Sequence, residues 1–152
     1  MNIRFIELNS KDIDLIKPLW EKLRDHHHDL SSHFPERYLQ FTFEERKEEI
    51  LKKAENGTLK IDIAKDEHNG HYIGYCISSI SKENIGEVDS IYLDEKYRSS
   101  GIGNQLMNRA LNWMDEKGVK DKKIVVAVGN EELLSFYERF DFYPRHIILE
   151  QK

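Results

Sequence analysis

Three successive strand patterns followed by one long amphipathic helix constrain this chain more than any other feature. The strand patterns cover residues 58–65, 71–81 and 86–93, and the helix pattern covers residues 101–117. In the first strand Leu59, Ile61 and Ile63 share one face, which is the period-two pattern of a half-buried strand. Asn69-Gly70 predicts a hairpin turn, because both residues tolerate a positive φ. We therefore expect a sheet built from neighbouring strands, with a helix packed on it.

The N-terminal part is predicted to be mostly helical. After a short strand at residues 4–8, apolar residues recur at helical spacing through residues 11–29. Pro18 lies inside that pattern, and because proline lacks an N–H donor the helix must be kinked or split there. Residues 30–41 mix Ser, His, Pro and aromatic residues, which predicts an irregular segment with some helix.

A second helix is predicted to begin at Thr42. Thr42 and Glu45 have the spacing of a capping box, in which each side chain bonds a free backbone N–H. Gly57 follows this helix and is available for a left-handed cap. The patterns that remain predict a strand at 123–128, a helix at 131–140 and a last strand at 146–149. The whole order predicts a mixed α/β sheet with helices packed on it, in one domain over residues 1–152.

Length and composition limit the class of protein. The 152 residues suit one domain with its own core, and Cys76 is the only cysteine, which excludes an internal disulfide framework and a multi-thiolate zinc site. The formal charge of −5 argues against a nucleic-acid partner, which needs a basic surface. Residues 1–10 lack the apolar core of a secretory signal, and the longest apolar stretch, residues 124–128, is too short to cross a membrane. A cytoplasmic protein with no membrane partner is expected.

A glycine-containing turn joins the third strand to the long helix. It reads Arg-Ser-Ser-Gly-Ile-Gly over residues 98–103. The first amides of a helix lack partners and carry partial positive charge, so such a turn is a natural phosphate site. Gly101 and Gly103 remove Cβ atoms that would block close approach. The alternative is a plain helix start with glycines for tight packing. A Walker A loop does not fit, and Leu106 stands where a dinucleotide fingerprint needs a small residue.

Two segments resemble a known family. Residues 90–103, Ser-Ile-Tyr-Leu-Asp-Glu-Lys-Tyr-Arg-Ser-Ser-Gly-Ile-Gly, resemble the acyl-CoA binding motif of the GNAT superfamily of N-acetyltransferases, Gln/Arg-x-x-Gly-x-Gly/Ala after a strand. Residues 130–142 resemble the Asn-x-x-Ala-x-x-Phe-Tyr-x-x-x-Gly-Phe segment of that family. The family glycine before the last Phe is Asp141 here, and Asp tolerates the left-handed cap conformation better than most residues. The resemblance implies a central, mostly antiparallel sheet flanked by helices.

The resemblance also implies acetyl-CoA as cosubstrate and no metal. By the family's pattern, the amides of residues 99–104 hold the pyrophosphate. The backbone of residues 91–93 pairs with the pantetheine arm and polarises the thioester carbonyl, and Asn130 contacts the arm or nearby cofactor atoms. Since backbone and side chain act separately, the Ile91 and Leu93 side chains can also be sheet core. The implied cofactor-binding residues are Ile91, Tyr92, Leu93, Arg98, Ser99, Ser100, Gly101, Ile102, Gly103, Asn104, Asn130 and Tyr137.

Three residues are candidates for proton transfer. The resemblance implies Tyr137 as the general acid that donates to the departing thiolate, and a phenol with a pKa of about 10 suits that role. Without the resemblance, Tyr137 would be interpreted as a partly buried core residue. Glu87 and Asp89 lie two apart on one strand and project to the same face, where either can deprotonate the amine. Glu87 is slightly favoured, while Asp89, a histidine or water alone stay open.

Histidines cluster at residues 26–28, with His33 beyond them. Consecutive helical residues point about 100° apart, so the triplet does not converge on one metal ion. In the resembled family this region covers the acceptor side, where aromatic and acidic side chains suit a small amine. His28 or His33 could help to deprotonate it, and the alternative is a helical patch packed on the sheet. The expected substrate-binding residues are His28, His33, Phe34 and Tyr38.

These observations predict a GNAT-type N-acetyltransferase that moves an acetyl group from acetyl-CoA to a primary amine by direct attack in a ternary complex. A small acceptor is favoured, such as a polyamine, an amino acid or an aminoglycoside-like compound, and the net charge favours a cationic one. A peptide or protein amine stays open. The rival from another class is a non-catalytic acyl-CoA-binding module, and a third interpretation is a metal-dependent protein that uses the histidines. The resemblance is compatible with a homodimer, for which the sequence marks no interface.

Overall fold

Five strands form one sheet in the computed structural model, which describes residues 1–152. They stand in the order β1-β2-β3-β4-β5; β1 to β4 pair antiparallel and β5 runs parallel to β4. The strand bounds are Ile3–Leu8, Thr58–Asp66, His71–Ile80, Ile85–Leu93 and Asp121–Ile124. Helices α1 to α5 cover Lys17–Leu30, Pro35–Gln40, Phe43–Asn56, Ile102–Glu116 and Leu134–Glu138. None of these helices combines the length and the apolar character of a membrane span. The mixed, mostly antiparallel sheet flanked by helices confirms the predicted fold class.

The first helical segment is split, as Pro18 predicts. A 3-10 helix covers Ser10–Ile16, and α1 begins at Lys17 with Pro18 in its first turn. Proline is tolerated there because the N–H of a first-turn residue has no helical partner. The short helix α2 lies within the segment for which partial helix was predicted.

The capping box of α3 forms, whereas the predicted cap at its other end is wrong. Thr42 Oγ1 accepts from the Glu45 backbone N–H at 3.2 Å, and the Glu45 carboxylate accepts from the Thr42 N–H at 3.4 Å. Gly57 has a φ of −149°, which is extended backbone and not a left-handed cap. Glycine is needed there for space, because a Cβ would lie 2.1 Å from the Ile80 carbonyl oxygen.

Two hydrophobic clusters cover the two faces of the sheet. Because strand side chains alternate, neighbours such as Tyr75 and Cys76 belong to different clusters. The cluster under α1 and α3, which we call the α3 face, contains Ile13, Ile16, Leu19, Trp20, Phe43, Ile50, Ile61, Ile63, Tyr75 and Ile77. The cluster under α4 and α5, the α4 face, contains Ala64, Ile73, Cys76, Ile80, Val88, Ile102, Leu106, Met107, Ala110, Met114, Val119 and Tyr137.

Strand β4 contains a bulge and then separates from β5. The pairing register to β3 shifts at Ser78, which leaves Asp89 as an extra residue in β4. The parallel ladder to β5 ends at Val88 opposite Ile124. Since β4 continues beyond that point, the backbone groups of residues 89–93 that point away from β3 have no strand partner. Bulges of this kind are common beside functional sites.

The C-terminal part departs from the predicted strands. β5 begins earlier and is shorter than the predicted 123–128, because its partner is the first half of β4. Val125 and Val128, beyond its end, are exposed. The predicted strand at 146–149 is wrong: this apolar run pairs with no sheet edge. Its exposed apolar residues are Ile147, Ile148 and Leu149.

Candidate active site

The turn between β4 and α4 presents a row of free backbone amides. The N–H groups of residues 99–104 make no hydrogen bond within the protein, and the first helical bond here runs from Gln105 N to Gly101 O at 3.1 Å. Ser99 and Gly101 have φ values of 64° and 85°. The second value favours glycine, although a Cβ at Gly101 would meet no atom within 4 Å. Six free donors at the positive end of a helix form an anion site.

Two side chains of this turn donate hydrogen bonds to backbone carbonyls that precede it. Arg98 Nε donates to the Leu93 carbonyl at 3.1 Å, and the guanidinium lies 5.8 Å from the centroid of the Tyr92 ring. Ser100 Oγ donates to the Tyr97 carbonyl. Because Arg98 is exposed and uses only Nε here, its other N–H donors and its charge remain available at the mouth of the turn.

Two buried amide oxygens have no partner in the protein. They are Oδ1 of Asn104, in the first turn of α4, and Oδ1 of Asn130, whose residue is 4% exposed. Asn130 follows Gly129, at which a Cβ would lie 2.4 Å from the Leu30 carbonyl oxygen. An unpaired buried polar group costs about 1–3 kcal/mol. Each oxygen is therefore placed to accept a hydrogen bond from a ligand.

The free edge of β4 leads to the same turn. Ile91 and Leu93 pack their side chains on the α4 face, and Tyr92 packs on the α3 face. These side chains are thus sheet core, while the backbone of residues 91–93 borders the gap between β4 and β5. An extended ligand that carries amide groups can add to such an edge in the manner of a strand.

Tyr137 lies on the α4 face close to the free amides. It is 6% exposed, and a Cβ on Gly103 would lie 3.4 Å from the ring of its neighbour Phe136, so α5 packs against the start of α4. Cys76 lies close enough to Tyr137 to affect its pKa and pairs with Ile91, which places Tyr137 near the part of β4 that has left β5. Burial raises the pKa of Tyr137 to about 12. The phenol therefore stays protonated at neutral pH and is a donor.

Glu87 and Asp89 lie on the α3 face and share Lys53 of α3. Lys53 Nζ donates to Glu87 Oε1 at 3.1 Å and also to Asp89 Oδ1. The Asp89 side chain is fully buried with Oδ2 unpartnered; burial raises its pKa, and Lys53 and Ser79 oppose that shift. Burial alone would lower the pKa of Lys53, but the two carboxylates raise it overall. Glu87, with a side chain 19% exposed, reaches an open cleft.

The candidate acid and the candidate bases therefore lie on opposite faces of the sheet. Tyr137 belongs to the α4 face, and Glu87 and Asp89 belong to the α3 face. The bulge at Asp89 marks the point where β4 and β5 part. The gap thus begins beside the two carboxylates, and Tyr137 belongs to the other face of the sheet.

The histidines expected on the acceptor side do not form one constellation. His28 Nδ1 lies 3.1 Å from Asp29 Oδ1, and His33 is exposed in the connection to α2. The rings of His26 and His27 have centroids 6.4 Å apart. No group of three or more His, Cys, Asp and Glu side chains is arranged to hold a metal ion.

The two aromatic residues expected beside the histidines contact other side chains of α1 and α2. The Arg37 guanidinium lies 4.4 Å from the Phe34 ring centroid, and the Tyr38 ring lies 5.3 Å from that of His27. Burial, with a smaller effect of the adjacent His26, lowers the pKa of His27 to about 4. Binding of an amine by Phe34 and Tyr38 stays a prediction.

The chain matches a known family over most of its length. The match covers residues 20–142 and is to the acetyltransferase (GNAT) family. It includes the amide turn, Asn130 and Tyr137. The chain belongs to the GNAT family. The resemblance carried by residues 90–103 and 130–142 is thereby confirmed.

Individual relatives agree with the GNAT assignment. The uncharacterized N-acetyltransferase MJ1207 of Methanocaldococcus jannaschii is 27% identical over 105 residues, which are 65% of this chain but only 44% of that protein. A Pyrococcus furiosus protein assigned as an acetyl transferase superposes with a TM-score of 0.72, at 22% identity and over 99% of each chain. The PaiA N-acetyltransferase of Thermoplasma acidophilum, solved in complex with coenzyme A, gives a TM-score of 0.70 at 20% identity, over 92% of this chain and 89% of that one. The two solved structures share the GNAT fold with this chain.

Two residues of the candidate site were not found from the sequence. Lys53 holds both carboxylates, and Arg46 Nη2 donates to the Asp89 carbonyl at 2.6 Å. In the sequence, Lys53 is only a cation near a helix end and Arg46 only one of many charges on a solvated helix. Their second role depends on the packing of α3 against β4, for which the sequence contains no local signal.

Proposed function

We propose that this GNAT protein is an acetyl-CoA-dependent N-acetyltransferase that acetylates a primary amine of a small molecule by direct attack in a ternary complex. The observation that carries the proposal is the row of six free amides at residues 99–104 together with a buried, protonated Tyr137, whose neighbour Phe136 packs against the start of α4. An amide row alone suits many anions. Together with the open edge of β4 and a proton donor, it suits one ligand that combines a pyrophosphate, an amide-containing arm and a thioester. We further propose that residues 1–152 act as one domain and work in the cytoplasm.

Acetyl-CoA fits the residues present. The amides of residues 99–104 and the Arg98 guanidinium would hold the pyrophosphate. The backbone of residues 91–93 would pair with the amides of the pantetheine arm, and the unpartnered Oδ1 of Asn130 would accept from one of its N–H groups. When bound, acetyl-CoA supplies the acetyl group as an activated thioester. The coenzyme A complex of the Thermoplasma acidophilum enzyme supports this choice of cosubstrate.

Tyr137 is proposed as the general acid. Its pKa of about 12 keeps the hydroxyl proton in place throughout the neutral range. A thiolate that departs next to it gains that proton or a hydrogen bond, which lowers the cost of breaking the C–S bond. A protein that only senses acyl-CoA needs the amide turn but has no need of this donor.

Glu87 is proposed as the base that takes the proton of the attacking amine. Its carboxylate reaches open space, whereas the Asp89 side chain is fully buried and held by Lys53 and Ser79. Asp89 and Lys53 are therefore proposed as positioning residues for Glu87. Acceptance of a proton on the α3 face and donation on the α4 face are consistent with attack through the gap between β4 and β5.

Titration calorimetry with acetyl-CoA, followed by thiol release over a panel of amines, tests the proposal. The panel contains polyamines, amino acids, aminoglycosides and a short peptide with a free N-terminus and a lysine. We expect acetyl-CoA to bind, and at least one small amine to yield free CoA and acetylated product in equal amounts. Binding without release for every amine would instead support an acyl-CoA-binding module. Acetylation of the peptide alone would assign the acceptor to proteins.

A further inference from the structure

A cleft on the α3 face continues from the candidate base toward the other end of β4. It has a volume of about 620 Å³ and lies between the end of α3, the β3–β4 turn and β5. Only two of its twelve lining residues are hydrophobic. The cleft therefore suits a polar ligand, and Glu87 forms part of its wall.

Positive charge dominates this cleft although the chain as a whole carries −5. Four lysines line it against two glutamates. Lys52 and Lys53 belong to the last turns of α3, where cations also stabilise the helix end. That explanation does not extend to Lys82 in the β3–β4 turn or to Lys123 on β5, which come from separate elements and reach the same space.

Part of this charge has no strong partner within the protein. Lys82 is exposed, and no ion pair neutralises it. Lys52 has only an exposed partner, Glu48, at 3.5 Å, and Lys123 lies 3.8 Å from Glu87. An exposed pair such as Lys52–Glu48 is weak and exchanges readily for another anion. Lys53 differs, because it is engaged by two carboxylates.

The positions of Glu87 and Lys82 in the cleft indicate how the charges of a ligand are arranged. Ser79 pairs with Glu87 across the two strands, and Lys82 follows Ser79 by three residues. Since β3 ends at Ile80, Lys82 lies in the β3–β4 turn beyond the paired strands, whereas Lys123 lies beside Glu87 at 3.8 Å. A ligand that spans the cleft thus carries its amine and its anionic group at opposite ends of a short chain.

We propose that the acceptor is an amine that also carries a carboxylate or phosphate group, which Lys52 and Lys82 bind while the amine lies against Glu87. This inference rests on the proposed function and adds the class of acceptor to it. The transfer is unchanged: the nitrogen gains the acetyl group, the C–S bond breaks, one proton passes to Glu87 and one passes from Tyr137 to sulfur. Local charge in the cleft, and not the overall charge, then selects the acceptor.

Acceptors of matched length test the proposal. ε-Aminocaproate, n-hexylamine and cadaverine present the same kind of primary amine and differ at the far end, which is anionic, neutral or cationic. We expect kcat/KM to be highest for ε-aminocaproate and lowest for cadaverine, by about tenfold overall, with the preference shrinking as salt is raised. An aminopentyl phosphate extends the series, and whichever anion gives the higher kcat/KM identifies the natural group.

Substitutions of Lys82 test whether the preference for an anionic acceptor arises from the cleft. Lys82→Ala is expected to raise KM for the anionic acceptor about three- to tenfold, to leave kcat unchanged and to leave n-hexylamine unaffected; Lys82→Glu is expected to raise KM further. Lys117→Ala, which removes an exposed lysine after α4, is the matched control. Urea unfolding checks that all three variants are as stable as the parent.

The experiments distinguish a failure of this inference from a failure of the proposed function. Equal kcat/KM for ε-aminocaproate and n-hexylamine, or a rise in KM for both in Lys82→Ala, overturns this inference and leaves the proposed function standing. Binding of acetyl-CoA without acetylation of any amine overturns the proposed function, and the inference with it.

Discussion

Replacing Asp62 with alanine tests how much the ion pair between Asp62 of β2 and Arg109 of α4 contributes to the stability of the protein. The same pair holds α4, and with it the amide turn, against the sheet. Asp62 is 1% exposed on β2 and accepts two hydrogen bonds from Arg109 of α4, Nε to Oδ2 and Nη2 to Oδ1, both at 3.1 Å. Lys60 Nζ lies 3.5 Å from Asp62 Oδ1 and also donates to Glu7. The buried Asp62 carboxylate therefore interacts with two cations, Arg109 and Lys60.

The expected cost follows from which charge is left without a partner. Breaking a buried ion pair by removing one side costs about 3–5 kcal/mol. The Arg109 side chain is 37% exposed, so water compensates for part of its loss, whereas the Lys60 side chain is 9% exposed and keeps only Glu7. We therefore expect the lower end, about 3 kcal/mol, which corresponds to a fall in Tm of roughly 6–12 °C for a chain of this size.

Urea unfolding followed by circular dichroism measures this free energy, and the m-value should stay constant. Glu48→Ala, which removes a pair with Lys52 whose side chains are both about 70% exposed, is the control and should cost less than about 1 kcal/mol. Combining Asp62→Leu with Lys60→Met should recover much of the stability, because no buried charge is left alone. An Asp62→Ala cost no larger than that of Glu48→Ala would refute the reasoning.

The remaining predictions concern the base, the turn and α1. Glu87→Gln should lower turnover with the best amine about tenfold or more; unaltered turnover excludes Glu87 as the base. Gly101→Ala forces a side chain into a φ of 85°, at a cost of about 1–2 kcal/mol, so calorimetry should show weaker binding of acetyl-CoA, and an unchanged Kd contradicts the amide turn. Burial lowers the pKa of His27 from 6.5 to about 4, so its neutral form contributes stability that is complete above pH 6.5 and is lost as the pH falls through 4. In urea unfolding, His27→Gln should therefore flatten the loss of stability on acidification, and exposed His71→Gln should not.

Features made by neighbouring residues were predictable from the sequence. The spacing of Thr42 and Glu45 predicted a capping box, and Pro18 predicted the split before α1. Asp141 stands where the family has glycine and adopts a φ of 66°, as expected for a left-handed position. Each of these depends on residues within a few positions of one another, so the whole interaction is contained in a short segment.

Features made by distant residues were not predictable. The strand expected at 146–149 does not form, because an apolar run becomes a strand only where a sheet edge receives it, and the segment is instead joined to α2 by the ion pair of Glu150 with Arg37. Likewise β5 is positioned by its pairing with β4 and not by its most apolar residues. The bulge at Asp89 has no signature in the alternation of β4.

The same distinction between neighbouring and distant residues applies to the candidate site. The family motifs located the turn at residues 99–104 and Tyr137, because both lie in continuous segments with a recognisable pattern. The partner of the candidate bases, Lys53, lies 34 residues from Glu87 and 36 from Asp89, and no motif links them. The lysines of the cleft come from three elements that lie far apart in the sequence, so only the folded chain brings them together.

Measurement of acetyl-CoA binding and of turnover in the same preparation of Tyr137→Phe tests the central claim most directly, since the claim is that the amide turn and Tyr137 form one acetyl-transfer site. Phenylalanine keeps the packing of the ring and removes only the proton donor. We predict an unchanged Kd for acetyl-CoA and a turnover with the best amine that falls about tenfold to a thousandfold. Full turnover in this variant would contradict the account.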